Sequence, residues 1–124
     1  MLVGSFFKNI NPKYKSHFFS GLSFNSLNVK KNNIFFSIKG TKINGNQFIK
    51  NAIKKGAKTI VSNLNFQGLK NNVLYIKTNN PRQLLSEVAS KVYKNKPKNL
   101  IAVTGTNGKS SVADFYYQIL DLNK

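Results

Sequence analysis

Residues 100–111, LIAVTGTNGKSS, join a short apolar run to a glycine loop, a lysine and two adjacent hydroxyl side chains. The apolar run at 100–104 predicts a buried strand, and the run VADFYYQIL after the loop predicts a helix. Glycines allow a backbone to approach a ligand closely, and the N–H groups at a helix N-terminus attract anions. The stretch therefore predicts a nucleotide phosphate site between a strand and a helix.

The spacing of this loop is unusual. Its pattern is G-x-x-G-K-S, which has two residues fewer between the glycines than the general phosphate loop G-x-x-x-x-G-K-[ST]. A lysine in this place adds a mobile positive charge, and the hydroxyl that follows it can face Mg²⁺. Fewer families of proteins are expected to carry this short loop than the general phosphate loop.

The residues upstream alternate between strand and helix signals. Short apolar runs at 34–38, 59–62 and 73–76 predict strands, and residues 63–72 between the last two predict a polar turn region. The helical spacing of apolar residues at 47–55 predicts a helix that ends at Gly56. This alternation is typical of an α/β layer architecture.

A second helix is predicted after the last of these strands. Asn80 is a capping residue, and Pro81 after it suits the first position of a helix. The apolar residues along this helix share one face: Leu84, Leu85, Val88, Ala89, Val92 and Tyr93. The polar run 94–98 contains Pro97 and predicts a linker, because the residue before a proline is disfavoured in a helix.

The charge of the chain is strongly positive, at a formal +17. A dense set of lysines attracts phosphate by releasing counterions, so the charge alone suggests nucleic acid. Only Arg82 among the 20 Lys and Arg residues is arginine, however, and arginine is the residue that recognises bases and phosphates through two parallel bonds. The lysines are scattered, and the abundance of Lys, Asn, Ile and Phe is typical of AT-rich coding sequence. We therefore predict no specific nucleic-acid partner.

The motifs together resemble the Mur ligase family, whose members build the peptide stem of peptidoglycan. TGTNGKSS at 104–111 resembles the ATP loop of these ligases, and residues 34–63 and 79–97 are similar to the N-terminal domain of the MurE branch. The pair of this loop with the GTKING segment at 40–45 is the specific signal. A MurF-type ligase, whose N-terminal domain has a related plan, is the nearest alternative.

The resemblance implies a two-part organisation. Residues 1–97 are expected to form the small N-terminal domain that binds the UDP-linked substrate. Residues 98–124 are expected to be the first strand, phosphate loop and helix of a truncated ATP-binding domain. At 124 residues the chain is too short for the three domains of the family. We therefore expect an N-terminal fragment that is inactive as a ligase by itself.

The resemblance also implies the residues of the ATP site. ATP and Mg²⁺ are the expected cofactors, with Lys109 as the catalytic residue that neutralises the β- and γ-phosphates and Ser110 as the Mg²⁺ ligand. The expected ATP-binding residues are Gly105, Thr106, Asn107, Gly108, Lys109, Ser110 and Ser111.

The substrate site implied by the resemblance lies in two segments of the first domain. Its expected residues are Phe24, Ser26, Thr41, Lys42 and Ile43. Asn25 and Leu27 replace the acid and the arginine that the family carries on either side of the serine, and Asn44 stands where an aspartate is usual. The loss of this acid and arginine implies either weaker substrate binding or a different set of local contacts that holds the segment in place. An ordinary tight turn at 40–45 is the alternative for the second segment.

The activity implied for the whole enzyme is ATP-dependent formation of an amide bond through an acyl-phosphate. The implied substrates are UDP-MurNAc-L-Ala-D-Glu and a diamino acid, either meso-diaminopimelate or L-lysine. The resemblance implies a cytoplasmic enzyme. The sequence contains no stretch long and apolar enough for a membrane span, so we expect no membrane insertion. The alternative from another class is a non-catalytic module that binds a uridine nucleotide or nucleic acid.

Other chemistries have little support in the sequence. His17 is the only histidine and has no acidic neighbour, so we expect a structural role. Glu87, Asp114 and Asp121 are the only acidic residues and are too far apart to form a carboxylate pair. The chain has no cysteine, which excludes disulfides and thiolate metal sites.

Overall fold

The computed structural model describes residues 1–8, 10–95 and 97–122, in two compact units. The first unit is Met1–Lys94 and the second is Asn95–Lys124. The predicted linker at 94–98 includes Lys96, which lies outside the described residues, as do the last two positions of the chain.

The first unit is a mixed α/β sheet, as the sequence predicts. Its strands are β1 (Leu22–Ser23), β2 (Ile34–Phe36), β3 (Thr59–Ser62), β4 (Gly68–Lys70) and β5 (Val73–Lys77). Its α-helices are α1 (Ile49–Lys54) and α2 (Pro81–Val92), and 3₁₀ turns span Val3–Ser5, Pro12–Tyr14, Ser26–Asn28 and Gly45–Phe48.

The strand order is β1-β2-β3-β5-β4. The first four strands in this order run parallel, and β4 pairs antiparallel with β5 at one side. Thr59 of β3 lies opposite both Ile34 of β2 and Leu74 of β5. The carboxyl ends of four parallel strands therefore meet at one edge of the sheet, where ligands commonly bind in open α/β sheets.

Both faces of the sheet are buried. Phe36 and Val61 belong to one apolar cluster, together with residues of the N-terminal segment and Val88 of α2. Phe35 and Ile60, which alternate with them along the strands, belong to a second cluster against α1. A sheet covered on both faces needs apolar residues at consecutive positions, which explains the short continuous runs in the sequence.

The two helix predictions in this unit are confirmed, with a change at one start. The segment predicted as helix from residue 47 begins as the 3₁₀ turn Gly45–Phe48 and becomes α1 only at Ile49. Gly56 has a φ of 106°, as expected for the residue that ends this helix. At α2, the N–H of Gln83 donates to Oδ1 of Asn80 over 3.1 Å, which is the predicted cap.

The region 63–72 is not only a turn, because it contains β4. Lys70 pairs with Val73, so the connection to β5 is the two-residue turn Asn71-Asn72. Both asparagines have positive φ, at 49° and 60°. Asparagine tolerates this conformation better than most residues, and a two-residue turn of this kind matches the twist of a hairpin.

The strand predicted at 100–104 is wrong. Residues 101–105 have no regular secondary structure, and Leu100 is 86% exposed. A parallel strand needs a neighbour on which to bond, and the described residues 97–122 contain no other strand. The helix predicted after the glycine loop is confirmed as α3 (Lys109–Leu122).

Candidate functional site

The sheet brings the two predicted substrate segments to the same edge. Phe24 and Ser26 follow the carboxyl end of β1, and residues 41–43 lie in the loop that follows β2. The two strands are direct neighbours, with Leu22 opposite Ile34. The N-terminal unit therefore contains both segments on adjacent strands.

Ser26 and Phe24 differ in exposure. Ser26 is 6% exposed, and its hydroxyl makes no hydrogen bond within the described part of the chain. Phe24 is 68% exposed, and Leu27 on the other side of the serine is 65% exposed. A polar group between two exposed apolar side chains suits a flat ligand with a hydrogen-bonding edge.

Asn25 acts as a local cap. Its Oδ1 accepts a 2.9 Å hydrogen bond from the N–H of Leu27, at the start of the 3₁₀ turn Ser26–Asn28. Nζ of Lys55 donates to the Leu27 carbonyl over 2.8 Å. An asparagine performs the capping function of an aspartate, and Lys55, the residue that follows α1, holds the turn. These two hydrogen bonds hold the turn that contains Ser26 in place, although the acid and the arginine expected from the resemblance are absent.

The loop after β2 is closed by backbone bonds. The N–H of Gly40 donates to the Ile43 carbonyl over 2.9 Å, and Lys39 forms an antiparallel bridge with Asn44. Thr41, Lys42 and Ile43 at its tip are exposed. Oδ1 of Asn44 accepts from the N–H of Asn46 over 3.1 Å, so this asparagine also caps a turn where an aspartate is usual.

A polar network, which the sequence reasoning missed, connects this loop to the sheet. The Ser37 hydroxyl donates to Oδ1 of Asn46 over 2.5 Å, and Nδ2 of Asn46 donates to Oδ1 of Asn63 over 3.0 Å. Ser37 follows β2 and Asn63 follows β3. Polar residues immediately after a buried strand were the available signal, since these positions of parallel strands share an edge.

The glycine loop at 105–111, predicted to bind phosphate, lies in the second unit. Gly105 and Gly108 have φ angles of 149° and 73°, a region that favours glycine. Lys109 begins α3, and its Nζ donates to the Gly105 carbonyl and, over 3.1 Å, to the Thr106 carbonyl. Its ammonium therefore lies over the loop.

The helix after the loop begins in the way that a phosphate site requires. The N–H of Val112 donates to the Gly108 carbonyl over 3.0 Å, so the helical bonds start at the end of the loop. The earlier N–H groups have no partner of this kind and are available to an anion. Ser110 and Ser111 are exposed in the first turn.

The remaining candidates have structural partners. Nε2 of His17 lies 3.1 Å from the Lys58 carbonyl oxygen, in agreement with a structural role. Glu87 accepts from Gln83 over 3.0 Å, and Asp114 accepts from Gln118 over 2.8 Å. In residues 1–8, 10–95 and 97–122, no three His, Cys, Asp or Glu side chains form a metal site, and no helix is long and apolar enough to cross a membrane.

Comparison with known proteins agrees with these observations. The family model described as "Mur ligase family, catalytic domain" matches residues 19–93. The UDP-N-acetylmuramoyl-L-alanyl-D-glutamate--2,6-diaminopimelate ligase of Rickettsia prowazekii is 40% identical over 116 residues. The chain belongs to the Mur ligase family. The resemblance stated from its motifs is confirmed.

The relatives also fix how much of a Mur ligase is present. The match to the Rickettsia prowazekii ligase covers 94% of this chain and 24% of the relative. A ligase of the same name from Rickettsia montanensis is 43% identical over 110 residues, which are 89% of this chain and 22% of the relative. The chain therefore spans about a quarter of the length of the curated Mur ligases it matches.

A solved Mur ligase shares the fold. The crystal structure of MurF ligase from Thermotoga maritima in complex with ADP superposes with a TM-score of 0.62 at 24% identity. It covers 81% of this chain and 23% of the MurF chain. The likeness supports the α/β architecture of this Mur ligase segment.

Proposed function

We propose that this chain is the N-terminal part of an ATP-dependent ligase that adds a diamino acid to UDP-MurNAc-L-Ala-D-Glu. The observation that carries the proposal is that one chain contains both the glycine loop at 105–111 and the segments of Ser26 and residues 41–43, which follow neighbouring parallel strands. The high identity to diaminopimelate ligases supports meso-diaminopimelate as the amino acid, with L-lysine as the other choice. The proposed location of this reaction is the cytoplasm, where nucleotide-linked precursors and ATP are available.

The proposed substrate residues contact different parts of the nucleotide. Ser26 offers a hydroxyl without another partner in the described residues, and Phe24 offers an exposed aromatic face to the uracil ring. Thr41, Lys42 and Ile43 form an exposed loop tip, where the Lys42 ammonium can meet the charge of the diphosphate.

The proposed ATP residues are Gly105 through Ser111. Gly105 and Gly108 fit this role because both have positive φ, which favours glycine. A Cβ added at Gly108 would meet nothing within 4 Å, so the loop is open on that side. Lys109 would bind the β- and γ-phosphates, and Ser110 would hold Mg²⁺. Bound Mg²⁺ offsets the negative charge of the phosphate oxygens.

The chemistry explains why these residues are needed. A carboxylate is a poor electrophile, so it must first accept a phosphoryl group before an amine can displace phosphate. Lys109 stabilises charge that develops on the phosphate during this transfer. The substrate residues hold the nucleotide end of the acceptor and thereby reduce the entropy cost of bringing the reactants together.

Binding to the intact 124-residue chain tests the substrate half of the proposal. We expect UDP-MurNAc-L-Ala-D-Glu to shift the amide NMR signals of residues 24–27 and 40–45. Shifts confined to other residues, or none at roughly millimolar ligand, a concentration that corresponds to about −4 kcal/mol of binding free energy, would reject this substrate site.

A chimera tests the activity. The chain would replace the matching segment of the Rickettsia prowazekii ligase, and phosphate release would be measured with ATP, the nucleotide-dipeptide and diaminopimelate. We expect acceptor-dependent turnover from the chimera and none from the 124-residue chain alone. A folded chimera that binds ATP but never releases phosphate would contradict the proposal.

A further inference from the structure

The chain contains two asparagines that are directly followed by glycine, in the pairs Asn44-Gly45 and Asn107-Gly108. An asparagine in this context is chemically reactive, because glycine has no side chain to shield its backbone nitrogen and its backbone rotates with little hindrance. Asparagine is accordingly one of the thermolabile residues of proteins. The two pairs are therefore places at which the chain can change covalently without an enzyme.

The reaction is deamidation, and water is its only other reactant. The backbone nitrogen of the glycine loses its proton and forms a bond to Cγ of the asparagine, while the bond from Cγ to the side-chain nitrogen breaks. Ammonia leaves with that proton, and a succinimide ring remains. Water then adds to either ring carbonyl and opens the ring, which gives aspartate or isoaspartate. A neutral amide is thereby replaced by a carboxylate.

The structure restrains the first pair. The N–H of Gly45 donates to the Ile38 carbonyl over 3.2 Å, and Oδ1 of Asn44 accepts from the N–H of Asn46 over 3.1 Å. Gly45 is buried, and a Cβ built on it would lie 2.6 Å from the Ile38 carbonyl oxygen. To reach Cγ of Asn44, the Gly45 nitrogen would have to break its hydrogen bond and move closely packed backbone. We therefore expect slow deamidation at Asn44.

The second pair has none of these restraints. In the part of the chain that the structure describes, neither the N–H of Gly108 nor the side chain of Asn107 makes a hydrogen bond. Both residues are exposed, and a Cβ built on Gly108 would meet nothing within 4 Å. The nitrogen of Gly108 and Cγ of Asn107 can therefore approach each other without a loss of contacts.

We propose that Asn107 is a site of spontaneous deamidation, and that the fold protects Asn44 from the same reaction. The product carries a carboxylate that is ionised at neutral pH, since the pKa of an aspartate is about 3.9. Nζ of Lys109 donates to the carbonyls of Gly105 and Thr106 in the same loop. The new carboxylate would compete with phosphate for this ammonium. This effect on phosphate rests on the proposed function, whereas the reaction itself does not.

Peptide mass mapping of the intact 124-residue chain tests the reaction. The chain would be incubated in warm, mildly alkaline buffer, which favours loss of the glycine proton, and digested at intervals. We expect the mass gain of an amide converted to an acid to arise at least roughly tenfold faster at Asn107 than at Asn44, a difference of about 1.4 kcal/mol between the barriers. Equal rates in the folded chain would overturn the proposal.

Two controls separate the local sequence from the fold. Asn107→Gln lengthens the side chain, so that a larger ring would have to form, and the mass gain in this peptide should disappear. In urea at a concentration that unfolds the first unit, Asn44 should deamidate nearly as fast as Asn107, because both are followed by glycine. An Asn44 that stays slow in urea would overturn the protection by the fold.

ATP binding to the chimeric ligase tests the consequence. Asn107→Asp is one of the two products, and we expect it to weaken ATP binding by roughly tenfold or more, because like charges brought together are strongly unfavourable. Asn65→Asp adds the same charge at an exposed position of the first unit and should change ATP binding by less than about twofold. Bound ATP should also slow the deamidation of Asn107.

The possible failures are distinguishable. An Asn107 peptide that is unchanged after incubation would overturn the proposal and leave the proposed function intact. An Asn107→Asp chimera that binds ATP as tightly as the unmodified chimera would overturn the effect of the carboxylate on phosphate. A folded, unmodified chimera that does not bind ATP would reject the proposed ATP site and that effect together, whereas the mass map alone decides the reaction.

Discussion

The hydroxyl of Ser37 donates a 2.5 Å hydrogen bond to Oδ1 of Asn46, across the base of the loop that carries Thr41, Lys42 and Ile43. Ser37 is 2% exposed, so this bond fixes the loop to a buried point at the end of β2. Asn46 also donates to Asn63 after β3. One side chain thus connects the loop to two neighbouring strands, and the position of the proposed substrate residues depends on it.

Replacement of Asn46 should loosen this loop. Asn46→Ala leaves the buried Ser37 hydroxyl without its acceptor, which costs about 1–3 kcal/mol of unfolding free energy. We expect a lower urea midpoint and faster amide exchange at Gly40 and Gly45, whose N–H groups close the loop. Asn65→Ala is the control, because Asn65 is exposed and its side chain, within residues 1–8, 10–95 and 97–122, bonds only the exposed Lys77. Equal effects of the two variants would show that the network does not hold the loop.

Gly45 should be sensitive to the smallest substitution. A Cβ there would lie 2.6 Å from the carbonyl oxygen of Ile38 and 2.7 Å from its nitrogen, so backbone would have to move. We expect Gly45→Ala to cost about 1–3 kcal/mol in urea unfolding, as for other overpacked sites. Gly21→Ala is the matched control, since its Cβ would meet only side-chain atoms of Asn33, Oδ1 at 3.4 Å and Cγ at 3.9 Å. A Gly45→Ala protein as stable as Gly21→Ala would contradict the close approach.

Much of this fold could be predicted because local signals and long-range packing agree. The buried strands β2, β3 and β5 are apolar on both faces, and Asn80 with Pro81 marks the start of α2 without reference to the rest of the chain. β1 was missed because it is only Leu22–Ser23, too short for a periodic signal. β4 was missed because its residues are mostly exposed and its turn is Asn-Asn, a weaker signal than a turn with glycine.

The site could be predicted less completely than the fold. The glycine loop could be predicted from the spacing of its residues alone, because the role of each residue type in it is local. The network of Ser37, Asn46 and Asn63 depends on strand order, which places segments distant in sequence at one edge. The strand at 100–104 was overpredicted for the opposite reason. Its apolar run is a true local signal, but a strand also needs a neighbour.

Hydrogen exchange should separate the two units. Amides of Ile101 and Val103 lie in a segment without regular structure, whereas those of β3 bond within a sheet that is buried on both faces. We expect exchange at 101–103 to be near that of an unfolded chain, and slow exchange at Ile60 and Val61. Equal, strong protection of both segments in a monomer would contradict the exposed state of residues 100–104.

Removal of the Lys109 ammonium should impair catalysis in the chimeric ligase. Lys109→Ala deletes the charge that lies over the Gly105 and Thr106 carbonyls, so the phosphoryl transition state loses an electrostatic partner. We expect kcat to fall by about 10²–10³-fold, the range measured when one preorganised donor is lost. Lys98→Ala, an exposed lysine before the loop, should retain activity. Unchanged kcat in Lys109→Ala would remove this residue from the mechanism.

The positive charge should give only weak binding to nucleic acid, and this binding should not depend on the nucleotide sequence. With one arginine and scattered lysines, the chain offers attraction to phosphate without the two-bond contacts that distinguish bases. Titrations with duplex and single-stranded oligonucleotides should show affinity that falls by roughly 10³-fold or more between about 50 and 200 mM salt if at least six phosphates are contacted. Oligonucleotides of equal composition and scrambled sequence are the control, and they should bind equally. Binding that survives at the higher salt and prefers one sequence would show that the lysines form a recognition surface, and would favour a nucleic-acid-binding module over the ligase.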